Sequence, residues 1–138
     1  MNIDSIENGF VIDHIAAGKG MQLYELMGLS ELDVPVAIIQ NASSRKMGKK
    51  DIIKIDADIP VDLDIIGFVD PDATINIIKH GELVEKRTIG LPEKLVNVLS
   101  CHNPRCITQI EQELPQVFKL TNKEQKVYRC IYCETQAK

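Results

Sequence analysis

Four cysteines stand in two close pairs in the last third of this 138-residue chain. Four residues separate Cys101 from Cys106, two separate Cys130 from Cys133, and 23 residues lie between the pairs. Two short loops that each deliver two thiolates, joined by an insert long enough for a hairpin, can surround one tetrahedral zinc ion. The spacing therefore predicts one structural zinc ion held by Cys101, Cys106, Cys130 and Cys133.

Other uses of these cysteines stay open at this point. Two disulfides or four unrelated thiols would fit the count, and a four-cysteine iron site would share the ligand set. A catalytic zinc is not expected, because four thiolates leave no open position for water. His102 adjoins a predicted ligand and is expected to be exposed. Metal binding remains the preferred interpretation, because a module of about 40 residues cannot build an adequate core alone.

A basic run occupies residues 45–54, where five of ten residues are Lys or Arg. Lys50 and Lys54 fall on one face of a predicted strand, roughly 13 Å apart at about 3.3 Å per residue. That span is comparable to a nucleoside triphosphate, whose phosphates need cations. The alternative is a solvated basic edge that discourages strand aggregation.

Asp13 and His14 form a second polar pair at the end of a predicted strand. Asp13 could accept hydrogen bonds from ribose hydroxyls, and His14 could meet a phosphate. Strict alternation places the two side chains on opposite faces, so both can face one ligand only if the strand ends or twists there. Gly18-Lys19-Gly20 lacks the spacing of a phosphate-binding loop. No nucleophile–base pair stands out, so the sequence does not predict catalysis.

The first ninety residues alternate between strand and helix patterns. Strands are predicted to begin at Phe10 and to cover 34–39, 50–56, 73–78 and 83–88, with helices over 20–28 and from Pro60. The order β-α-β-β-α-β-β predicts an α+β domain, a ferredoxin-like α/β sandwich with both helices on one face of the sheet.

A change of pattern at Gly90-Leu91-Pro92 marks the end of this domain. Residues 92–99 are predicted to form one or two helical turns as a linker. We therefore expect a first domain over residues 1–95. Residues 96–138 are expected to form a small all-β zinc domain of the zinc-ribbon or rubredoxin type.

Composition limits the possible partners. Apolar residues make up 44% of the chain and aromatics 4%, so the core must be aliphatic. A net charge of −4 disfavours a general nucleic-acid binder. The sequence predicts neither a signal peptide nor a membrane span, so we expect a soluble cytoplasmic protein with reduced thiols.

Several motifs occur in a fixed order: VIDHI at 11–15, MGKKDIIKI at 47–55, ATINII at 73–78, GLPEKLVNVLSC at 90–101, and then the cysteine pairs. Together they resemble the regulatory chain of aspartate carbamoyltransferase. The resemblance implies a non-catalytic subunit with an allosteric domain that binds CTP, ATP and UTP. It also implies a zinc domain that docks on the catalytic chain, a regulatory-chain homodimer, and a role in tuning pyrimidine biosynthesis.

The resemblance further implies which residues line the nucleotide site. Asp13 and His14 match ribose and phosphate contacts, and Lys54 matches the lysine that reaches ribose and base. Lys86 matches the lysine on the phosphates, and Lys50 a further basic residue beside the triphosphate. The other matching positions are Ile3, Asp4, Ile6, Val11, Asn76 and Ile78. Leu83 also belongs to the implied site, where it replaces a similar aliphatic residue of the family, and Gly81 stands where the family can have an aromatic residue.

Two other functions stay open from the sequence. One is a zinc-ribbon interaction or nucleic-acid-binding module fused to an α+β domain. Residues 100–138 hold only six Lys or Arg against four Asp or Glu, and few aromatics for base stacking, which disfavours it. The other is a stand-alone nucleotide sensor with no catalytic partner. Neither nucleic acid nor a membrane is expected as a partner.

Overall fold

The structure is a computed structural model that describes residues 6–137. It divides into two compact units, Met1–Gly90 and Leu91–Lys138, which we call the first and second domains. This division lies a few residues before the predicted limit at residue 95, because the strand that contains Leu95 pairs within the second domain. Among the described residues, no helix is long and apolar enough to cross a membrane.

Over residues 6–90, the first domain is a five-stranded sheet with two short helices. Its strands are β1 (Gly9–Ala16), β2 (Val36–Ser44), β3 (Gly48–Ile55), β4 (Thr74–Lys79) and β5 (Glu82–Thr88); its helices are α1 (Gly20–Leu26) and α2 (Leu63–Val69). The sheet order is β2-β3-β1-β4-β5, and each neighbouring pair is antiparallel. The first six elements follow the ferredoxin-like order, with β5 added at the edge. The α+β prediction is confirmed.

Aliphatic side chains on one face of the sheet form the core. Leu23 of α1 and Ile66 of α2 belong to the same buried cluster as five isoleucines of the central strands, which are Ile12, Ile15, Ile53, Ile55 and Ile75. Successive residues of a strand point to opposite faces. The residues between these isoleucines therefore lie on the opposite side of the sheet, which we call the outer face.

Helix α2 begins later than Pro60 suggested. Asp62 is its N-cap residue, and its Oδ1 accepts hydrogen bonds from the backbone N–H groups of Asp64 and Ile65 at 3.0 and 3.4 Å. These bonds satisfy two of the N–H groups that have no partner within the helix. The capping carboxylate, rather than the proline, therefore sets the start of the helix.

A buried carboxylate, Asp51, joins three segments of the first domain. It is fully buried on β3. Its Oδ2 accepts hydrogen bonds from the N–H groups of Gly18 and Gly20 at 3.0 and 2.9 Å, and its Oδ1 accepts one from Asn41 at 3.0 Å. A Cβ atom at Gly20 would lie 2.8 Å from Asp51 Oδ2, so this approach requires glycine. The glycine-rich loop before α1 thus binds a carboxylate of its own chain, which occupies the N–H groups that a phosphate would need.

Over residues 91–137, the second domain is a small β structure. Its strands are β6 (Lys94–Val96), β7 (Val117–Asn122) and β8 (Val127–Cys130), in the order β6-β7-β8, with a 3₁₀ turn at Ile107–Gln109. Leu95, Phe118 and Tyr128 are buried, and the Tyr128 hydroxyl donates a hydrogen bond to the carbonyl of Pro92 at 2.6 Å. The expected small β domain is confirmed.

The helical turns predicted for residues 92–99 are wrong. Lys94–Val96 forms β6, in which Leu95 lies opposite Phe118 of β7. Leu95 is buried while its two neighbours are exposed, which is the alternation of a strand. Pairing with a segment much later in the chain decides this conformation, and the local pattern did not reveal that partner.

Replacing Asp51 by Asn should destabilise the first domain by about 2–3 kcal/mol. In either amide orientation, the new NH₂ group would face at least one backbone N–H that now donates to the carboxylate. Urea unfolding of the full chain measures the change, with the exposed Asp58→Asn as the matched control. A midpoint equal to that of the control would contradict the structural role of Asp51.

Candidate metal centre and ligand face

The four cysteine side chains converge on one point in the second domain. Their Sγ atoms all lie within 4.8 Å of one another. The Sγ atoms of Cys101 and Cys133 are 3.6 Å apart, and those of Cys106 and Cys130 are 3.8 Å apart. A tetrahedron with zinc–sulfur bonds of about 2.3 Å has edges of about 3.8 Å. The arrangement therefore fits one ion with four sulfur ligands, and the four cysteines are free thiols.

Two tight loops and a hairpin bring these thiols together. The N–H of Cys106 donates to the carbonyl of Asn103 at 3.0 Å, which closes the first loop. The N–H of Glu134 donates to the carbonyl of Cys130 at 2.8 Å, which closes the second. Strands β7 and β8 form a hairpin that ends at Cys130. The insert between the cysteine pairs therefore forms a hairpin, as the spacing predicted. His102 is exposed and is not part of the cluster.

The surroundings of the thiols differ. Burial raises the pKa of Cys101 to about 12 and also raises that of Cys130. The Thr135 hydroxyl, 3.2 Å from the sulfur of Cys133, lowers the pKa of Cys133 to about 6. Cysteines bind metals as thiolates, so metal binding releases protons and weakens as the pH falls.

The outer face of the first domain carries four predicted ligand residues in one row. Val11 of β1 lies opposite Lys54 of β3 and opposite Asn76 of β4. Asn76 in turn lies opposite Lys86 of β5. Opposite residues share a face, and neighbouring strands are about 4.8 Å apart, so the row spans about 14 Å. We call Lys54, Val11, Asn76 and Lys86 the ligand row; it has a cation at each end.

A β-bulge places Asp13 and His14 beside this row. The β1–β3 pairing shifts between Ile12 and Ile15, and both isoleucines are fully buried. Two residues, Asp13 and His14, therefore stand where a regular strand would have one. His14 adopts a left-handed backbone conformation with φ of 59°. The bulge keeps both side chains off the core face, which strict alternation did not allow.

Neighbouring side chains hold this polar pair. Lys50 Nζ lies 2.9 Å from Asp13 Oδ1, and His14 Nδ1 lies 3.1 Å from the hydroxyl oxygen of Thr74. Burial acts to raise the pKa of Asp13. Hydrogen bonds from Lys50 and from the His14 N–H, together with the charge of Lys50, outweigh burial and hold this pKa below its usual value. Sequence reasoning missed Thr74, because only the β1–β4 register shows that it lies opposite Asp13.

Asn76 offers a buried acceptor in the middle of the ligand row. Among the side chains that the structure describes, its Oδ1 is buried and makes no hydrogen bond. Such an atom costs about 1–3 kcal/mol when it stays unsatisfied. A ligand with an amino or hydroxyl donor would recover that cost at the middle of the ligand row.

The remaining predicted residues of the nucleotide site differ in position and exposure. Ile78 lies on the outer face, opposite Gly9 and Leu83. Leu83 is 59% exposed, whereas Ile6 is buried. Ile3 and Asp4 lie outside the described residues, so their predicted roles stay predictions.

Comparison with known proteins gives consistent matches along the whole chain. A family model described as the allosteric domain of the aspartate carbamoyltransferase regulatory chain matches residues 1–90, and one described as its metal binding domain matches residues 93–138. The regulatory chain of Clostridium botulinum strain Hall is 48% identical over 134 residues, which are 97% of this chain and 92% of that relative. The regulatory chain of Bifidobacterium longum is 44% identical over 138 residues, which are 100% of this chain and 99% of that relative.

Replacing Lys50 by Met should raise the pKa of Asp13, because the Lys50 hydrogen bond and charge are removed. A depressed carboxyl pKa contributes stability that is present above the ordinary value of 3.8 and lost as the pH falls through the folded value. The variant should therefore lose less stability on acidification than the parent chain.

Carbon-13 NMR titration of the Asp13 carboxyl and urea unfolding at neutral and acidic pH measure these two effects. Lys49→Met, at the neighbouring exposed lysine, is the matched control. An unchanged Asp13 titration in Lys50→Met would contradict the importance of the ion pair.

Proposed function

This chain belongs to the family of aspartate carbamoyltransferase regulatory chains, and we propose that its allosteric domain binds nucleoside triphosphates on the outer face of the sheet. CTP is the first expected effector, with ATP and UTP at the same site. The chain is a non-catalytic subunit whose partner is the catalytic chain. Its second domain carries one structural metal ion, which is zinc in this family.

The ligand row is the observation that carries the nucleotide proposal. A triphosphate needs cations along one part of its length and hydrogen-bonding groups along the rest. The ligand row offers Lys54 and Lys86 about 14 Å apart. Between them lies Asn76 Oδ1, which has no hydrogen-bond partner within residues 6–137. A basic sheet edge that only discourages aggregation would not explain a buried acceptor that has no hydrogen-bond partner among the described residues.

Roles within this site follow the chemistry of each group. Lys86 and His14 meet phosphates, with Lys50 as a further cation beside them. Asp13 accepts hydrogen bonds from ribose hydroxyls, and Lys54 reaches ribose and base. If Thr74 donates to Nδ1 of His14, the proton of the imidazole lies on Nε2, where it can point at a phosphate oxygen. Ile78, Leu83 and Val11, with the N-terminal segment that contains Ile3, Asp4 and Ile6, complete the site.

The second domain is proposed to hold its zinc through Cys101, Cys106, Cys130 and Cys133 and to dock on the catalytic chain. The Sγ separations support the ligand set. Ile110, 80% exposed, and Ile107, 48% exposed, follow the first cysteine pair directly. Large aliphatic side chains at such exposure are suited to burial against a protein partner.

A second regulatory chain is proposed to pair with the first domain. Strand β5 lies at the edge of the sheet, and all seven of its residues are exposed. An uncovered edge strand is prone to pair with another chain. A homodimer that covers this edge would remove that hazard.

Nucleic acid is not proposed as a partner. Phe118 and Tyr128 are buried, and the Tyr132 hydroxyl donates to the carbonyl of Pro115 at 3.1 Å. These aromatic rings are therefore used inside the second domain and are poorly placed to stack on bases. We also propose that the protein is cytoplasmic.

CTP should bind the full chain with micromolar-range affinity, and Lys86→Ala should weaken triphosphates by about tenfold or more while affecting nucleosides much less. A nucleoside lacks the phosphates that the lysine meets. Calorimetry with CTP, ATP, UTP and cytidine measures this, with Lys79→Ala on β4 as the control. Equal losses for CTP and cytidine, or no heat with any triphosphate, would contradict the proposal.

Removing the metal should unfold the second domain and abolish assembly with the catalytic chain, while nucleotide binding persists. The metal supplies folding free energy only to the second domain, and the first domain has its own core. Mass measurement of the mixed chains, with and without a chelator and after zinc is restored, tests this. A metal-free chain that still assembles would rule out docking through the zinc domain.

A further inference from the structure

Cys133 is the least protected of the four cysteines. Cys101, Cys106 and Cys130 are 4% exposed or less, whereas Cys133 is only partly buried. The Thr135 hydroxyl oxygen lies 3.2 Å from the sulfur of Cys133, and the side-chain amide Nδ2 of Asn103 donates to that same oxygen at 3.0 Å. Asn103 belongs to the first cysteine loop and Thr135 follows the second, so these two bonds connect the loops across the sulfur cluster.

The backbone fixes the direction of this connection. Asn103 Oδ1 accepts a hydrogen bond from the N–H of Arg105 at 3.0 Å, which turns the amide NH₂ toward Thr135. The carbonyl of Thr135 accepts from the N–H of Cys130 at 3.0 Å, which anchors the threonine. Because the Thr135 oxygen accepts from Asn103, its own proton is free to point at the thiolate of Cys133.

The other hydroxyl at the cluster is differently placed. Thr108 Oγ1 lies 3.2 Å from the sulfur of Cys106, but both residues are buried. In contrast, Asn103 and Thr135 line a cleft of about 390 Å³, which Cys101 also lines. Thr135 therefore contacts the partly buried Cys133, whereas Thr108 contacts the fully buried Cys106.

We propose that Asn103 and Thr135 are positioning residues that retain the metal, and that Cys133 is the first ligand to leave when the ion is lost. The Thr135 proton stabilises the thiolate of Cys133, and the Asn103 amide holds the hydroxyl in that orientation. Partners that hydrogen-bond to metal ligands tune metal affinity in this way. The inference rests on the zinc site of the proposed function.

Three threonine variants of the full zinc-loaded chain test the inference. Thr135→Val keeps the side-chain shape and removes the hydroxyl, and we expect zinc transfer to a chromogenic chelator to be about 10-fold faster or more. Thr135→Ser keeps the hydroxyl and should release zinc at nearly the parental rate. Thr121→Val removes a hydroxyl that donates to the Val127 carbonyl at 3.3 Å, away from the sulfurs, and should also match the parent.

A spectroscopic measurement separates positioning from general stability. In the cobalt(II)-loaded chain, loss of a hydrogen bond to sulfur should shift the thiolate-to-metal charge-transfer band in Thr135→Val but not in Thr135→Ser or Thr121→Val. A parental release rate with an unshifted band in Thr135→Val would overturn the inference. Equal acceleration by Thr121→Val would also overturn it, because the effect would then be one of domain stability.

Asn103→Asp provides the second arm, and it decides the matter if Thr135→Val fails to fold. Aspartate keeps the acceptor for the Arg105 N–H and loses the NH₂ donor, so zinc release should again be faster than in the parent. In the double variant that combines Thr135→Val with Asn103→Asp, the two effects on zinc release should be less than additive, because both substitutions remove the same connection. Strict additivity, or a parental rate for Asn103→Asp, would contradict the connection. A parent chain that binds no zinc would instead refute the zinc site itself.

Discussion

Burial of alternate isoleucines against the two helices is the constraint on which the ligand face depends. Ile12 lies between Ile53 and Ile75 in the register, and all three are buried. Because side chains alternate, the same register places Val11 between Lys54 and Asn76 on the opposite face. A slip of one residue would expose the isoleucines, so hydrophobic burial also fixes the order of the polar residues. The ligand row is therefore a consequence of the core.

The second domain solves a different problem, because it is too small for a comparable core. Its buried apolar side chains include Leu95, Phe118 and Tyr128, beside the cysteine cluster. A domain of this size gains little from hydrophobic burial alone, and the free energy of metal binding adds to its folding free energy. The metal thus keeps a small surface in a fixed shape, and residues around the sulfurs become important for how long that shape persists.

This division of labour suits a regulatory chain. An effector shifts an equilibrium only by as much as it prefers one state over the other. In the proposed function, the first domain supplies a ligand face on a sheet whose register its core fixes, and the second supplies a metal-stabilised surface for a protein partner. Neither requires a reacting group, which agrees with a non-catalytic subunit.

Features set by local spacing could be predicted from the sequence, and features set by distant pairing could not. The cysteine spacing predicted the metal cluster, and the alternation around Ile53 predicted the strand that carries Lys50 and Lys54. The sequence did not reveal that residues 94–96 form a strand, that Asp51 binds the loop before α1, or that Thr74 meets His14. Each of these depends on a partner far away along the chain.

The sequence by itself thus determined the residue types, their spacing and the two-domain plan. The tertiary structure alone decided which polar groups share a face and which become buried partners. The bulge at Asp13 and His14 shows why: a shift of one residue reverses the face of a side chain, and only pairing with the neighbouring strands sets that shift.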